Sequence, residues 1–558
     1  MIDWDQWETA TLFVKASQGS LSVADLFAQQ AEYRQFVPNL IFLLLGWITH
    51  WNIKVEMFVS LLLACLIALT LHRLGQLTFK GKRSSRVFLT LISTLLVFSP
   101  AQFESFLLGE QIIYFLPALC ITTSLCVGYS RLGPGTKLII CLLLSIVSTF
   151  SSANGFICWF VLAPILFRSK SELRNWRAAI WLIGLLLSGT VYSYSFQKPS
   201  YTPSLSTVLY HPLQGLYFFC SFLGAPLMTS NRLIFISFGL GALLLTLFVL
   251  SFFFIWKSTD DAEFKYRAIG WLMLGSYSFL TAMMVTVARL GFGAEQALSS
   301  RYITFSVYLL ISLVYLIPLI VDQAIKRDEF PNFKFKAVLS RVAVAVLIFL
   351  HVANSAAAIR QMAWMKTRRL EAKACLLFIN VVPNQCLSHG FPELSVLRAR
   401  VNDINKLGYL RPGLIGSSNI KEIAGPNPPG NNSLGRLETV VGTNGTFAVN
   451  GWASLSGGKE AADAVLLTYE KDQSDPTVFA YAQMKIVQPS FKRLMAPDPA
   501  VDWRWQTSIS INGAGVTLPI SVSAWAFDAT TGKAHKLAGT YLIHGNGSPP
   551  QLIEAQTR

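Results

Sequence analysis

The sequence predicts an α-helical polytopic membrane domain followed by a small extracytoplasmic all-β sandwich domain. Long apolar runs alternate with short polar loops between residues 37 and 357. The 558 residues are 53% hydrophobic and only 14% charged, whereas soluble proteins carry about 25% charged residues. After about residue 434 the long runs give way to short runs with β character, separated by Gly, Asp and Asn.

The segment 1–36 is predicted to be an external loop with a candidate acid site. It opens on Met-Ile-Asp-Trp-Asp-Gln-Trp-Glu, which is polar and aromatic and does not have the pattern of a signal peptide. Asp3 and Asp5 are framed by tryptophans, an arrangement that suits a general base or a metal ligand near the membrane interface. The alternative is an aromatic anchor at the interface, with acids that are simply solvated.

The domain 37–357 contains ten apolar runs that approach the length of about 20 residues needed to cross a bilayer. These runs are 55–74, 87–103, 111–130, 137–151, 154–168, 177–197, 232–256, 268–288, 301–322 and 337–357. The segment 37–50 is too short to span comfortably, and 209–228 is ambiguous. Both suit helices that lie at the membrane surface or pack in a cavity wall.

Loop charges predict the orientation, because cytoplasmic loops carry an excess of Lys and Arg. The cation-rich loops are 72–86, 131–137, 168–177, 257–267 and 323–336. Alternation then places outside 1–36, 104–110, 151–155, 198–208, 289–300 and everything after about 357. This parity requires that 37–50 and 209–228 do not cross fully. The net charge of +16 is concentrated beside apolar runs, so we expect membrane lipids and no nucleic acid as partners.

The region 358–433 is predicted to be an extracytoplasmic helical segment and linker, and 434–558 the β-sandwich domain. Cys375 and Cys386 lie on the predicted oxidising side and are a candidate disulfide. The other six cysteines fall in apolar segments and are expected to be packing residues. Six runs are predicted to be strands: 446–449, 464–469, 478–482, 507–511, 520–527 and 539–543.

Two groups of charged residues near the predicted outer ends of the helices are candidate sites. Arg34 follows Glu32 and could hold a phosphate with two parallel hydrogen bonds, although the two side chains could equally pair with each other. Glu104 and Glu110 could bind a divalent metal ion. Alternatively, these carboxylates could cap the helix that starts near Gln111.

A third group combines two arginines with a glycine-bearing loop that enters a late helix. Arg289, Arg301 and Tyr302 could bind a lipid-linked phosphate, or the arginines could extend to the lipid headgroups. Ser152, Asn154 and Gly155 add small polar groups on the same side. The sequence contains no nucleotide-binding or hydrolase motif such as a Walker sequence or GxSxG.

The order of these features resembles bacterial membrane proteins related to GT-C glycosyltransferases, which use polyprenyl-phosphate sugars. It consists of the acidic opening Asp3-Trp-Asp5-Gln-Trp7, then Glu32-Tyr33-Arg34 before an apolar helix, many spans, and an Arg-Tyr entry to a late span. The resemblance covers roughly residues 1–360. It implies location in the bacterial cytoplasmic membrane and transfer of a sugar from the lipid phosphate to an external glycan or lipid acceptor.

The resemblance also implies roles for individual residues. Asp3 or Asp5 would activate the acceptor, Arg289 or Arg301 would neutralise the leaving phosphate, and Glu104 or Glu110 would hold a metal. Two departures stand out: no span precedes the acidic opening, and Tyr33 stands where such proteins usually have histidine. The alternatives are a transporter or flippase of lipid-linked glycans, and a non-catalytic scaffold whose β-sandwich binds a partner.

Overall fold

The computed structural model of the chain has seventeen α-helices and eleven strands among the residues it describes. The described residues are 6–167, 174–258, 261–326, 333–381, 394–426, 434–443, 445–455, 460–471, 474–485, 503–511, 517–544 and 548–553. They divide into two compact units, Ser20–Ile359 and Met1–Gly19 with Arg360–Arg558. We call these the helical unit and the terminal unit.

The helices follow the apolar runs of the sequence closely. They are α1 Gln6–Ser17, α2 Val23–Leu26, α3 Phe36–Thr49, α4 Ile53–Thr78, α5 Arg83–Val97, α6 Phe103–Leu107, α7 Ile112–Tyr129, α8 Pro134–Thr149, α9 Ile157–Leu166, α10 Arg174–Ser193, α11 Thr207–Tyr210, α12 Pro212–Gly224, α13 Ile234–Lys257, α14 Ala262–Arg289, α15 Ser300–Lys326, α16 Phe333–Leu377 and α17 Leu394–Lys406. Each of the ten predicted apolar runs therefore coincides with a helix over most of its described length.

Seven stretches of helix among the described residues are long and apolar enough to cross a bilayer. They are Ile53–Thr78, Arg83–Leu107, Gly109–Tyr129, Asn231–Lys257, Ala262–Phe292, Ser300–Lys326 and Arg341–Leu377. The helices α3, α8 and α9 are apolar but shorter. A multi-pass membrane protein is the architecture that such helices indicate.

The core of the helical unit is built mainly from α4, α7, α14 and α15. Trp271 on α14 stacks on Tyr315 of α15 with ring centroids 3.7 Å apart, and its indole donates a hydrogen bond to Thr78 Oγ1 on α4 at 2.9 Å. Helices α12 and α13 approach closely at Gly224 and Gly241, where the backbones touch. Small residues at a helix contact are typical of membrane proteins, because they allow the backbones to pack closely.

The ends of the helices in this unit separate into two groups that match the charge pattern. One cavity, of about 330 Å³, is lined by Lys80, Asp261, Glu263, Asp322, Lys326 and their neighbours. All of these lie at or beside loops predicted to be cytoplasmic. A second cavity, described below, is lined only by residues near loops predicted to be external. The alternation predicted from loop charges is thus consistent with the way the helices pack.

The C-terminal region is a β-domain, as predicted, but its strands form one continuous sheet. The strands are β3 Gly435–Thr443, β4 Thr446–Leu455, β5 Glu460–Ala461, β6 Ala464–Glu470, β7 Thr477–Ala482, β8 Arg504–Ser510, β9 Ile520–Asp528, β10 Lys533–Ile543 and β11 Gln551–Ile553. The order is β5-β4-β3-β10-β9-β6-β7, with β8 on β4 and β11 on β10. All six predicted runs are strands.

Two halves of this sheet meet at the pairing between β3 and β10. The pairing is parallel and is limited to Arg436 and Ala538, whereas the other pairings are antiparallel. Both halves contribute to one core, which includes Val449 and Trp505 from one half and Leu467 and Val522 from the other. The predicted sandwich is therefore corrected to a curved sheet whose two halves enclose a shared core.

The terminal unit also contains the first described helix. Helix α1 packs on α17: Phe13 contacts Tyr409 edge to face at 5.6 Å, and both guanidinium Nη atoms of Arg400 donate to the Glu8 carboxylate at 2.9 and 2.8 Å. The segment 1–36, predicted as one external loop, is thus divided at Gly19 between two units. It contains α1, α2 and a short hairpin, β1 Gln29–Gln30 with β2 Tyr33–Arg34.

Candidate functional site

The helical unit contains a cavity of about 260 Å³ among the helix ends predicted to be external. This volume is near the lower end of the range of about 300–1,000 Å³ for small-molecule sites. It is lined by Glu32, Tyr33, Tyr114, Ser152, Ala153, Asn154, Phe196, Lys198, Leu205, Thr281, Met284, Val285, Ala288, Arg289, Tyr302 and Phe305. Six separate stretches of sequence therefore converge on one space.

The hairpin formed by β1 and β2 places Glu32 and Tyr33 at this cavity. Its turn passes through Ala31, whose φ of 50° lies in the left-handed region. The Gln29 side chain fixes the hairpin to the loop after α10, since its Oε1 accepts from the backbone N–H of Gln197 at 2.9 Å and its Nε2 donates to the carbonyl of Gln197 at 2.5 Å. A segment only six residues long is thus held in one position.

Arg34 is the second anchor of the hairpin. Its buried guanidinium donates to the backbone carbonyls of Tyr192 and Phe27, both at 2.6 Å, and to that of Tyr194. Because three carbonyls occupy this guanidinium and Arg34 is not among the residues that line the cavity, the structure gives it a positioning role. Phosphate binding by Arg34 stays a prediction.

Arg289 and Glu32 form an ion pair in the cavity wall. Arg289 Nη2 donates to Glu32 Oε2 at 2.6 Å and contacts the Tyr33 hydroxyl at 3.4 Å. The two charged side chains are only 15% and 19% exposed, so water screens them weakly. Burial raises the pKa of the Tyr33 phenol, and the nearby Arg289 guanidinium offsets part of that rise. Tyr33 is therefore a neutral hydrogen-bonding group at physiological pH.

Much of the cavity wall is apolar. Hydrophobic side chains come from the loop after α10, from α14 and from α15: Phe196, Leu205, Met284, Val285, Ala288 and Phe305. Lys198 adds an exposed cation on the loop after α10, where its ammonium donates to the carbonyl of Pro203. Two cations and one carboxylate in an apolar wall favour a ligand with both an anionic group and a hydrocarbon part.

The start of α15 brings Arg301, Tyr302 and Glu104 together. Glu104 Oε2 accepts from the backbone N–H of Arg301 at 3.0 Å, and the backbone N–H of Glu104 donates to Ser300 Oγ at 3.2 Å. Glu104 therefore caps α15 rather than the helix near Gln111, which was one of the two alternatives drawn from the sequence, because a carboxylate is stabilised at a helix N-terminus. The Arg301 guanidinium lies 5.6 Å from the centre of the Tyr302 ring, and Tyr302 lines the cavity.

Glu110 accepts a hydrogen bond from the side chain of its neighbour Gln111 at 3.1 Å. Among the described residues no group of three or more His, Cys, Asp or Glu side chains could hold a metal ion. The donor sets around Glu104 and Glu110 do not favour a divalent cation, which prefers several carboxylates. A metal role for either residue stays a prediction.

Three of the predicted site residues fall outside the described part of the chain: Asp3, Asp5 and Cys386. Cys375 is disulfide-bonded, whereas the six cysteines in the apolar segments are free. The pairing of Cys375 with Cys386 and the catalytic role of Asp3 or Asp5 stay predictions. The nearby Glu8 has a structural role in the ion pair with Arg400.

Sequence reasoning missed Lys198, Tyr114 and Thr281 as site residues. Lys198 lies in the loop 198–208, which the sequence predicts to be external, and its isolated charge in that loop was the available signal. Tyr114 and Thr281 lie within apolar helices, where neither spacing nor charge distinguishes them from packing residues. The structure shows that all three face the same cavity as Glu32 and Arg289.

We compared the chain with models of protein families, with curated proteins and with solved structures, and found no match in any of the three comparisons.

Proposed function

We propose that this protein is a GT-C-like membrane glycosyltransferase of the cell envelope, which moves a sugar from a polyprenyl-phosphate donor to a glycan or lipid acceptor outside the cytoplasm. The observation that supports this best is the cavity that joins Arg289, Lys198 and Glu32 to an apolar wall among the helix ends predicted to be external. Such a wall suits the lipid, and the two cations suit its phosphate.

Arg289 is the residue that would bind the phosphate and neutralise it as it leaves. Its Nη2 is engaged with Glu32 and Tyr33, and its other guanidinium nitrogens donate no hydrogen bond to any described residue, so they are available to a ligand. An arginine aimed at the charge that develops on a leaving phosphate lowers the barrier to transfer.

Glu32 is the carboxylate in the described part of the cavity that could act as the general base. The acceptor hydroxyl oxygen attacks the anomeric carbon, the bond from that carbon to the phosphate oxygen breaks, and the hydroxyl proton moves to Glu32. Binding of the donor phosphate to Arg289 would weaken the ion pair with Glu32 and free the carboxylate for this role. Asp3 and Asp5 remain the alternative bases that the resemblance implies.

The test uses the full chain in lipid nanodiscs with polyprenyl-phosphate sugars and measures release of the sugar-free lipid phosphate. Glu32→Gln should slow release by about 100-fold or more, and Arg289→Ala by about 100- to 1,000-fold. Arg232→Ala, which removes an exposed arginine just before α13, is the matched control. Unchanged release in both cavity variants would refute the proposal. In sealed proteoliposomes, movement of the intact lipid across the bilayer without cleavage would favour a flippase.

A further inference from the structure

Exposure to solvent divides the cavity into an open end and a closed end. Lys198 is exposed, and the side chains of Arg289 and Glu32 retain 15% and 19% of their exposure. Asn154 and Thr281, by contrast, are 2% and 0% exposed. The charged residues therefore form the more accessible part of the lining, which we call the open end, and Asn154 and Thr281 belong to its buried part, the closed end.

Each of these two buried residues has a polar atom that no described residue satisfies. Asn154 Nδ2 donates to the Tyr277 hydroxyl at 2.8 Å, but Asn154 Oδ1 has no hydrogen-bond partner, and neither has Thr281 Oγ1. A buried threonine in a helix usually bonds to a carbonyl of the preceding turn. Thr286, on the same helix, does so with Ala282 at 2.7 Å. A buried polar atom without a partner is costly, so its presence beside a cavity points to a ligand.

The chemistry of the two atoms identifies the part of the ligand that they fit. An amide oxygen only accepts a hydrogen bond, and a threonine hydroxyl both donates and accepts. An ionised phosphate has only acceptor oxygens, so it cannot satisfy Asn154 Oδ1, and a hydrocarbon chain can satisfy neither atom. Sugar hydroxyls both donate and accept, and they match both atoms.

We infer that Asn154 and Thr281 form a sugar-binding subsite at the closed end of the cavity, with the phosphate toward Arg289 and Lys198. This inference rests on the proposed function, because it assigns the sugar and the phosphate of one donor to the two ends of the same site. The local fold supports this inference. Asn154 lies in the turn 153–156 between α8 and α9. This turn fits closely against α8, as shown by Gly155, where a Cβ would come within 1.8 Å of the Ser148 carbonyl oxygen. The amide is thus held in place.

Binding measurements in nanodiscs test the subsite, with a polyprenyl phosphate and the same lipid carrying one hexose, pentose or amino sugar. Thr281→Val and Asn154→Ala should each weaken binding of the best sugar-bearing lipid about tenfold and leave binding of the sugar-free lipid unchanged. Thr286→Val is the matched control on α14, since it removes a hydroxyl that its own helix satisfies. Tyr277→Phe controls for the hydrogen bond between Asn154 and Tyr277.

The outcomes separate this inference from the proposed function. Thr281→Val should leave the thermal stability of the free protein unchanged or raise it, because the lost hydroxyl has no described partner. If Thr281→Val and Asn154→Ala affect both lipids equally, or neither lipid, the subsite is refuted, even where Arg289→Ala still weakens both lipids. If Arg289→Ala also changes nothing, or no lipid binds to the unaltered protein, the proposed function fails together with the subsite.

Discussion

At the residue scale, most of the site depends on side chains that bind the backbone of distant segments. Arg34 and Arg289 are both arginines next to apolar helices, and the sequence alone gave them the same candidate role. The structure distinguishes them by their partners. Three carbonyls surround the Arg34 guanidinium, whereas Arg289 lines the cavity and pairs with a carboxylate. A guanidinium surrounded by carbonyls shapes the site, and one with free donors can bind a ligand.

We expect Arg34→Lys to disturb the position of Glu32 without removing any group from the cavity. Lysine carries the same charge but lacks the planar fork that reaches three carbonyls at once. The variant should lower the melting temperature by a few degrees. At saturating donor it should slow release of the sugar-free lipid phosphate by about tenfold, with little change in the affinity for that lipid phosphate. Equal loss of affinity and rate would instead indicate that Arg34 binds the phosphate directly.

Asp463 makes the stability of the β-domain depend on pH, and this dependence can be measured. It is 7% exposed, and burial raises its pKa to about 6, with the N–H of Ala529 offsetting part of the rise at 2.8 Å. The pKa of an aspartate in an unfolded chain is about 3.9. Because the folded state holds this proton more tightly, its contribution to stability is fully present below about pH 4 and is lost as the pH rises through 6.

Asp463→Asn should therefore remove this decline in stability between about pH 4 and pH 6. The asparagine amide does not ionise, and its oxygen can still accept from Ala529. The measurement is hydrogen-exchange protection of the amides of β6 and β9 in the full chain, corrected for the intrinsic effect of pH on exchange. Asp403→Asn, at a partly exposed position on α17, serves as the control. If stability still declines over this pH range in the Asp463 variant, another titrating group causes the decline.

At the element scale, the apolar runs predicted the helices because a bilayer requires long, continuous hydrophobic stretches. Strands β4, β6, β7, β8, β9 and β10 were found in the same way, from short runs between turn residues. Strand β3 was missed because charged residues at positions 436 and 438 interrupt its pattern, although Leu437 and Val440 are buried. Helix α1 was missed because its packing partner, α17, is distant in the sequence and follows the last of the membrane helices.

The contact between α12 and α13 supplies an element-scale prediction. A Cβ at Gly224 would lie 1.9 Å from the carbonyl oxygen of Ser237, and one at Gly241 would lie 1.7 Å from that of Cys220. Gly224→Ala and Gly241→Ala should each destabilise the helical unit by about 1–3 kcal/mol, since the helices must move apart. Gly239→Ala on α13, where a Cβ would meet nothing within 4 Å, should not destabilise it.

Thermal unfolding in detergent, followed by the loss of the monodisperse peak in size-exclusion chromatography, distinguishes these variants. Equal melting temperatures for the Gly224, Gly241 and Gly239 variants would mean that the close approach of α12 and α13 is not needed for stability.

At the scale of the whole molecule, loop charges grouped the helix ends, and this is why Glu32, Asn154, Arg289 and Tyr302, which line the cavity, were expected on one side. The pairing of Glu32 with Arg289, however, joins residues 257 positions apart. Local sequence offered only the nearby Arg34 as a partner for Glu32. Loop charge and the number of crossings predict which loops lie on the same side of the membrane. The contacts between side chains depend on helix packing, which a sequence pattern does not encode.

The orientation itself is a prediction that labelling can check. In a background without the six free cysteines, Cys at Ser17, Ser204 or Lys536 should react with a membrane-impermeant maleimide added outside cells. Cys at Arg86 or Lys326 should react only after permeabilisation, since these positions lie in the cation-rich loops. Ser17 and Lys536 belong to the same unit, so opposite labelling of these two positions would contradict the structure as well as the predicted orientation.

The packing of α1 against α17 has a consequence for biosynthesis. Helix α1 is translated before any of the membrane helices, and α17 with Arg400 only after the last of them. Throughout insertion, the apolar face of α1 that includes Trp7 and Phe13 therefore lacks its native packing partner. A nascent chain arrested before residue 394 should therefore be cut by protease within α1, whereas the completed protein should protect that helix.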